Sequence, residues 1–129
     1  VSYSASIQYR RKQGGRVSVL IVEKEARDTS EAGPIRVPRN GRVVLTKCRR
    51  VSGTGTTVDP TAGRAPGWTA STPDEIMASS TTAPAAYVAE RDVVPYNSPR
   101  GELWHRSGLN STTPDGVIET EYEVIPGVG

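Results

Sequence analysis

The chain has 129 residues, with 16 Lys and Arg against 14 Asp and Glu, a net charge of +2 and one cysteine. That length suits one domain over residues 1–129, the lone Cys48 excludes an internal disulfide and a thiolate-rich zinc site, and no run of about eighteen apolar residues is present to span a membrane. Fifteen Val, six Ile and four Leu, with no Phe, sit just under the roughly 20 % that marks disordered chains, but the small net charge argues for a folded domain with a thin core.

Val and Ile outnumber Leu 21 to 4, and thirteen Thr add further β-branched residues. Branching at Cβ suits a pleated strand and restricts χ1 in a helix. The expected fold is mainly β, an antiparallel sandwich or barrel with long ordered loops.

In chain order, residues 3–9 alternate: Tyr3, Ala5, Ile7 and Tyr9 share one face, and Ser4, Ser6 and Gln8 the other, which predicts a half-buried strand. Gly14-Gly15 supplies positive φ for a hairpin. Residues 17–23 are apolar on both faces from Val19 to Val22 and predict a central strand. Residues 23–34 are polar and end in a Gly-Pro break. The short run 35–37 and the strand 42–48 flank Asn40-Gly41, a hairpin signal. Simple alternation places Val43 and Leu45 on one face and Val44, Thr46 and Cys48 on the other.

Residues 52–72 offer turn chemistry and no strand, so an extended arm or loop is expected there. Thr72, Pro73 and Glu75 form a capping signature and predict one short helix over 73–80. Residues 85–96 fit a strand or a helix, and their β-branched residues and the stop at Pro95 favour a strand. Residues 101–107 predict a short strand and 112–116 a turn. Residues 117–125 alternate again, with Ile118, Thr120, Tyr122 and Val124 opposed to Glu119, Glu121 and Glu123. Ile7, Val19, Ile21, Val43, Leu45, Ile118 and Tyr122 are the expected core.

The halves differ in charge. Residues 1–64 hold thirteen Lys and Arg against five Asp and Glu; residues 65–129 hold three against nine. Arg10, Arg11, Lys12 and Arg16 cluster around the first hairpin, and Lys47, Arg49 and Arg50 end another strand. Such clusters can bind phosphates, or can pair with the acidic half of this chain or of a neighbour. The low net charge favours pairing.

Chemical motifs are weak. Gly53-Thr54-Gly55 lacks the third glycine of a dinucleotide loop and the Gly-Lys-Ser/Thr of a P-loop. His105 has no nucleophile elbow to serve and no local cluster of metal ligands, and is expected at a surface or interface. Cys48 lies between Lys47 and Arg49, which would activate a thiol on the same face; in a strand they point the other way, so a small buried residue is expected. Trp68, in a polar loop, either tucks onto its own sheet or anchors a partner.

The thin core, the long loops and the charge separation favour a non-enzymatic structural subunit of a large assembly. A bacteriophage virion protein is expected, of the capsid decoration or cement type, or a head–tail accessory. It would be assembled in the host cytoplasm, with no secretion signal seen. Its partners would be copies of itself and other assembly subunits, with no cofactor, no catalytic or metal site and no membrane. Expected contact residues are Trp68, Trp104, Arg10, Arg11, Lys12 and Arg16, with Glu119, Glu121 and Glu123. The alternative is a small β-barrel that binds nucleic acid through the basic N-terminal half.

Overall fold

A hairpin opens the chain. Strand β1 (Ser4–Arg11) leads through a short 3-10 turn at Gln13–Gly15 into β2 (Val17–Ala26). Gly14 and Gly15 take φ of 75° and 74°, a region glycine enters without a steric penalty. The two strands pair from Ser4 opposite Lys24 to Arg11 opposite Val17 with no shift of register. The computed structural model describes residues 2–37, 41–68, 75–77, 83–84, 91–93 and 101–126.

The remaining strands are β3 (Ala32–Arg36), β4 (Arg42–Ser52), β5 (Thr57–Val58), β6 (Thr61–Gly63), β7 (Glu75–Met77), β8 (Ala83–Pro84), β9 (Arg91–Val93), β10 (Glu102–Arg106) and β11 (Gly116–Ile125). The larger sheet has the order β1-β2-β11-β4-β9, the smaller β3-β10-β6-β7, and β5 pairs with β8. Pairing is antiparallel in both main sheets. The fold is therefore mainly β and sandwich-like, and the two sheets do not close into a barrel.

Alternation decides what faces inward. On β2, Val19, Ile21 and Glu23 are fully buried; on β11, Ile118, Thr120 and Tyr122 are fully buried, with Val124 beside them. Val43, Leu45 and Cys48 come from β4, and Ile35, Leu103 and Ala62 from the smaller sheet, joining one apolar cluster. Six of the seven expected core residues are fully buried. The seventh, Ile7, is partly buried and packs on the cluster from β1.

Four expectations change. The Asn40-Gly41 hairpin does not form: β3 pairs with β10, and β4 with β11 and β9. The chain instead crosses from one sheet to the other between residues 37 and 42, and residues 38–40 lie outside the described residues. The predicted helix is strand at Glu75–Met77, where Met77 faces Ala62 and Glu75 faces Gly63. A two-turn helix is marginal alone, and pairing to an existing edge wins; residues 73–74 and 78–80 lie outside the described residues. The expected arm at 52–72 contains β5 and β6. Finally, Cys48 faces the core with Val43 and Leu45, because the register shifts between Lys47 opposite Glu121 and Leu45 opposite Tyr122. That β-bulge leaves Thr46 unopposed and flips the phase of everything after it. Of the strand predicted over 85–96, Arg91–Val93 pairs with β4 and the rest lies outside the described residues.

Candidate functional site

The core holds a polar cluster. His105 is fully buried on β10 and does not sit at a surface. Its phase along Leu103, His105 and Ser107 points it at the larger sheet. Its Nδ1 meets the Tyr122 hydroxyl, and its Nε2 lies 3.1 Å from Thr120 Oγ1. The Thr120 hydroxyl also lies 3.6 Å from Cys48 Sγ. One arrangement of protons serves all three contacts: Tyr122 donates to Nδ1, Nε2–H donates to Thr120, and Thr120 donates to the sulfur. On the other side, the Tyr3 hydroxyl donates to Glu23 Oε2 at 2.7 Å. Glu23 Oε1 has no hydrogen-bond partner among the described residues and lies 3.9 Å from His105 Nε2.

Burial sets the protonation of this cluster. It pushes the Glu23 carboxyl up to about 7, against the hydrogen bond from Tyr3, which lowers it. It pushes the His105 imidazole down to about 3, so the ring is neutral at pH 7. The Tyr3 hydroxyl is raised, by burial first and then by the charge of Glu23. Cys48, Thr120, His105, Tyr122 and Glu23 are all fully buried, so the cluster acts on the fold. It ties β10 of the smaller sheet to β2, β4 and β11 of the larger. Cys48 is the small buried residue expected.

The loop 53–68 is held by its own chain. The Asp115 carboxylate accepts from Thr54 N–H, from Gly55 N–H at 2.6 Å and from the Thr54 hydroxyl at 3.0 Å. Those backbone donors hold the Asp115 carboxyl below the usual carboxylate range. Asn110 Oδ1 accepts from the N–H groups of Thr56 and Thr57 at 2.7 and 2.9 Å. Asp59 N–H donates to Ser107 O. Gly55 lies under Leu109, where a Cβ would come within 2.5 Å of Cδ1.

At the far end, Trp68 is 4 % exposed and covers Gly63 so closely that any Cβ there would overlap the indole. Arg106 stacks on the Trp68 ring at 4.1 Å and donates to Trp68 O and to Glu31 Oε2. Glu31 also accepts from Gly67 N–H. Trp68 is thus tucked onto its own sheet, and not presented as an anchor. Trp104 is half-buried over Gly33, and its Nε1–H donates to Glu102.

The acidic strand is also matched within the chain. β11 is central, and its outward Glu residues face β4 on one side and β2 on the other. Glu119 pairs with Arg49 at 2.9 Å and Lys47 at 3.8 Å, and Glu123 with Arg16 at 3.3 Å. Glu121 accepts from the Thr46 hydroxyl at 3.2 Å. Part of the charge pairing foreseen between halves is therefore internal. Arg10, Arg11 and Lys12 are exposed and have no ion-pair partner among the described residues.

Arg10 and Arg11 end β1, the first strand of the larger sheet, and Lys12 follows it. Only β2 pairs with β1 among the described residues. Tyr9 keeps its predicted phase but is 48 % exposed, and its hydroxyl accepts from Arg36 N–H at 3.1 Å. Beside it runs a groove of about 310 Å³ lined by Tyr9, Arg11, Gly15, Val17, Arg36 and Val124. The sequence flagged Arg10, Arg11 and Lys12 by charge. Arg36 was missed, since only the folding of β3 opposite β1 brings it there. Comparison with family models, curated proteins and solved structures returned no match.

Proposed function

We propose that the chain is a structural, non-enzymatic subunit of a larger assembly, joined to a neighbour through the free edge of β1. A bacteriophage virion protein of the decoration or head–tail accessory kind is the setting its composition favours. The observation that carries the reading is an eight-residue edge strand with one side paired and, at its end, Arg10, Arg11 and Lys12 without an ion-pair partner among the described residues. Hydrogen-bonded loops such as 53–68 support it, since they give a fixed outline for neighbours to fit. Size fractionation of the producing cell's lysate tests this. The chain should migrate with particles far heavier than 13.8 kDa and stay there after nuclease treatment. Migration as a free small protein would refute the proposal. A second reading, nucleic-acid binding, rests on Arg10, Arg11 and Lys12. It expects a heavy complex that collapses on nuclease treatment or with added salt.

A further inference from the structure

Exposed edge strands are normally blunted by a proline, a bulge or a charge along their length. β1 has no bulge and no proline. From Ser4 to Tyr9 it carries no charge, and its cations stand only at the far end. In an antiparallel pair, alternate residues turn both N–H and C=O away from the partner. Half of the eight β1 residues therefore offer unpaired backbone groups to the free edge.

The groove lies at the cationic end of the same strand. Its lining is apolar at Val17, Val124 and the Tyr9 ring, and cationic at Arg11 and Arg36. Neither guanidinium has an ion-pair partner among the described residues. An apolar lining beside two guanidinium groups fits one apolar side chain next to carboxylates. The acidic strand of a second copy is a poor source. Glu119 and Glu123 sit on central β11, already paired with Arg49, Lys47 and Arg16.

We propose that an extended acidic segment of a different partner chain docks on β1 as an added strand. It places one apolar side chain against the Tyr9 ring, on the β1 side of the groove, and its carboxylates against Arg11 and Arg36. Backbone pairing supplies affinity, while the groove and the arginines set direction and choice of partner. This rests on the assembly reading above and names the chemistry of the neighbour.

The test uses the full chain against an array of ten-residue peptides alternating Val and Thr. The peptides carry two Glu at one end, at the other end or at neither, with Phe or Ala next to them. Binding should require Glu at one end only and favour Phe over Ala. Tyr9→Ala should remove the preference for Phe. Arg11→Glu combined with Arg36→Glu should weaken the best peptide by about tenfold or more, both sites being exposed enough to leave the fold intact. Ala5→Pro and Ser6→Pro separate edge pairing from folding. Their N–H groups face opposite sides of β1, so one variant should keep the wild-type melting temperature and lose the peptide. Four results would overturn the proposal: no peptide binding at about 1 mM, indifference to the placement of Glu, unchanged affinity in the charge-reversed variant, or tighter binding of a twelve-residue oligothymidylate than of any peptide. Particle association in lysate together with any of these would leave the assembly role standing and remove only this partner chemistry.

Discussion

Replacing Glu23 by Gln should stabilise the protein above neutral pH and change the shape of its pH profile. Glu23 has a folded value of about 7, above its ordinary 4.5. The folded state keeps this proton between those limits while the unfolded chain has released it. The contribution is therefore whole below pH 4.5 and is lost as pH rises to 7. The shift corresponds to about 3 kcal/mol at roughly 1.4 kcal/mol per unit. His105 acts in the opposite sense, with a folded value of about 3 below its ordinary 6.5. Its contribution is whole above pH 6.5 and is lost as pH falls to 3, by about 5 kcal/mol on the same conversion. The slopes cancel between pH 4.5 and 6.5. Facing Glu23, the Tyr3 hydroxyl stays protonated throughout and adds no slope. The cluster should therefore give a plateau, with a fall on the acid side and a smaller fall between pH 6.5 and 7. Urea unfolding followed by tryptophan fluorescence from pH 3 to 9 measures this. In Glu23→Gln the alkaline fall should vanish, and the variant should exceed wild type by up to about 3 kcal/mol at pH 8. Curves for wild type and variant that run parallel from pH 4.5 to 8 would refute the reasoning.

Gly63→Ala should expel the Trp68 ring, since a Cβ there overlaps it; overpacking of this kind costs about 1–3 kcal/mol, and the tryptophan emission should shift to the red. Asp115→Ala removes the acceptor of two backbone amides and a hydroxyl, so amide exchange at Thr54 and Gly55 should accelerate while the core strands keep their protection. The same two amides should lose protection in wild type as pH falls below the usual aspartate range, because Asp115 is held ionised by them. Cys48 should resist a thiol reagent in the folded protein and react fully in urea, being buried without exposure.

The long strands were legible because each buries one face. Val19 and Ile21, and Ile118 through Val124, kept a two-residue period that only one phase could bury. Trp68 was legible as one of two options, and the structure selects its own sheet. The polar cluster was missed, though its signal was there: Leu103, His105, Ser107 and Leu109 alternate, and Glu23 continues the phase of Val19 and Ile21. Polar residues in a core phase read as surface until their partners are known. Thr120 and Tyr122 lie 15 and 17 residues from His105, and Tyr3 lies 20 from Glu23. The loop 53–68 was illegible for the same reason. Its ties to Asp115 and Glu31 span 61 and 36 residues, and no local pattern encodes them. The helix over 73–80 and the Asn40-Gly41 hairpin failed where local turn and capping signals lost to long-range strand pairing.

Amide hydrogen exchange on β1, compared between the purified chain and the chain in the heavy fraction of the lysate, bears most directly on the proposed assembly role. In the purified chain, the amides of alternate residues between Ser4 and Arg11 should exchange quickly, while those paired to β2 stay protected. In the heavy fraction, the quick set should become protected as well. Equal protection of both sets in the purified chain, or no change of the quick set in the heavy fraction, would contradict the claim that the free edge of β1 is the joining element.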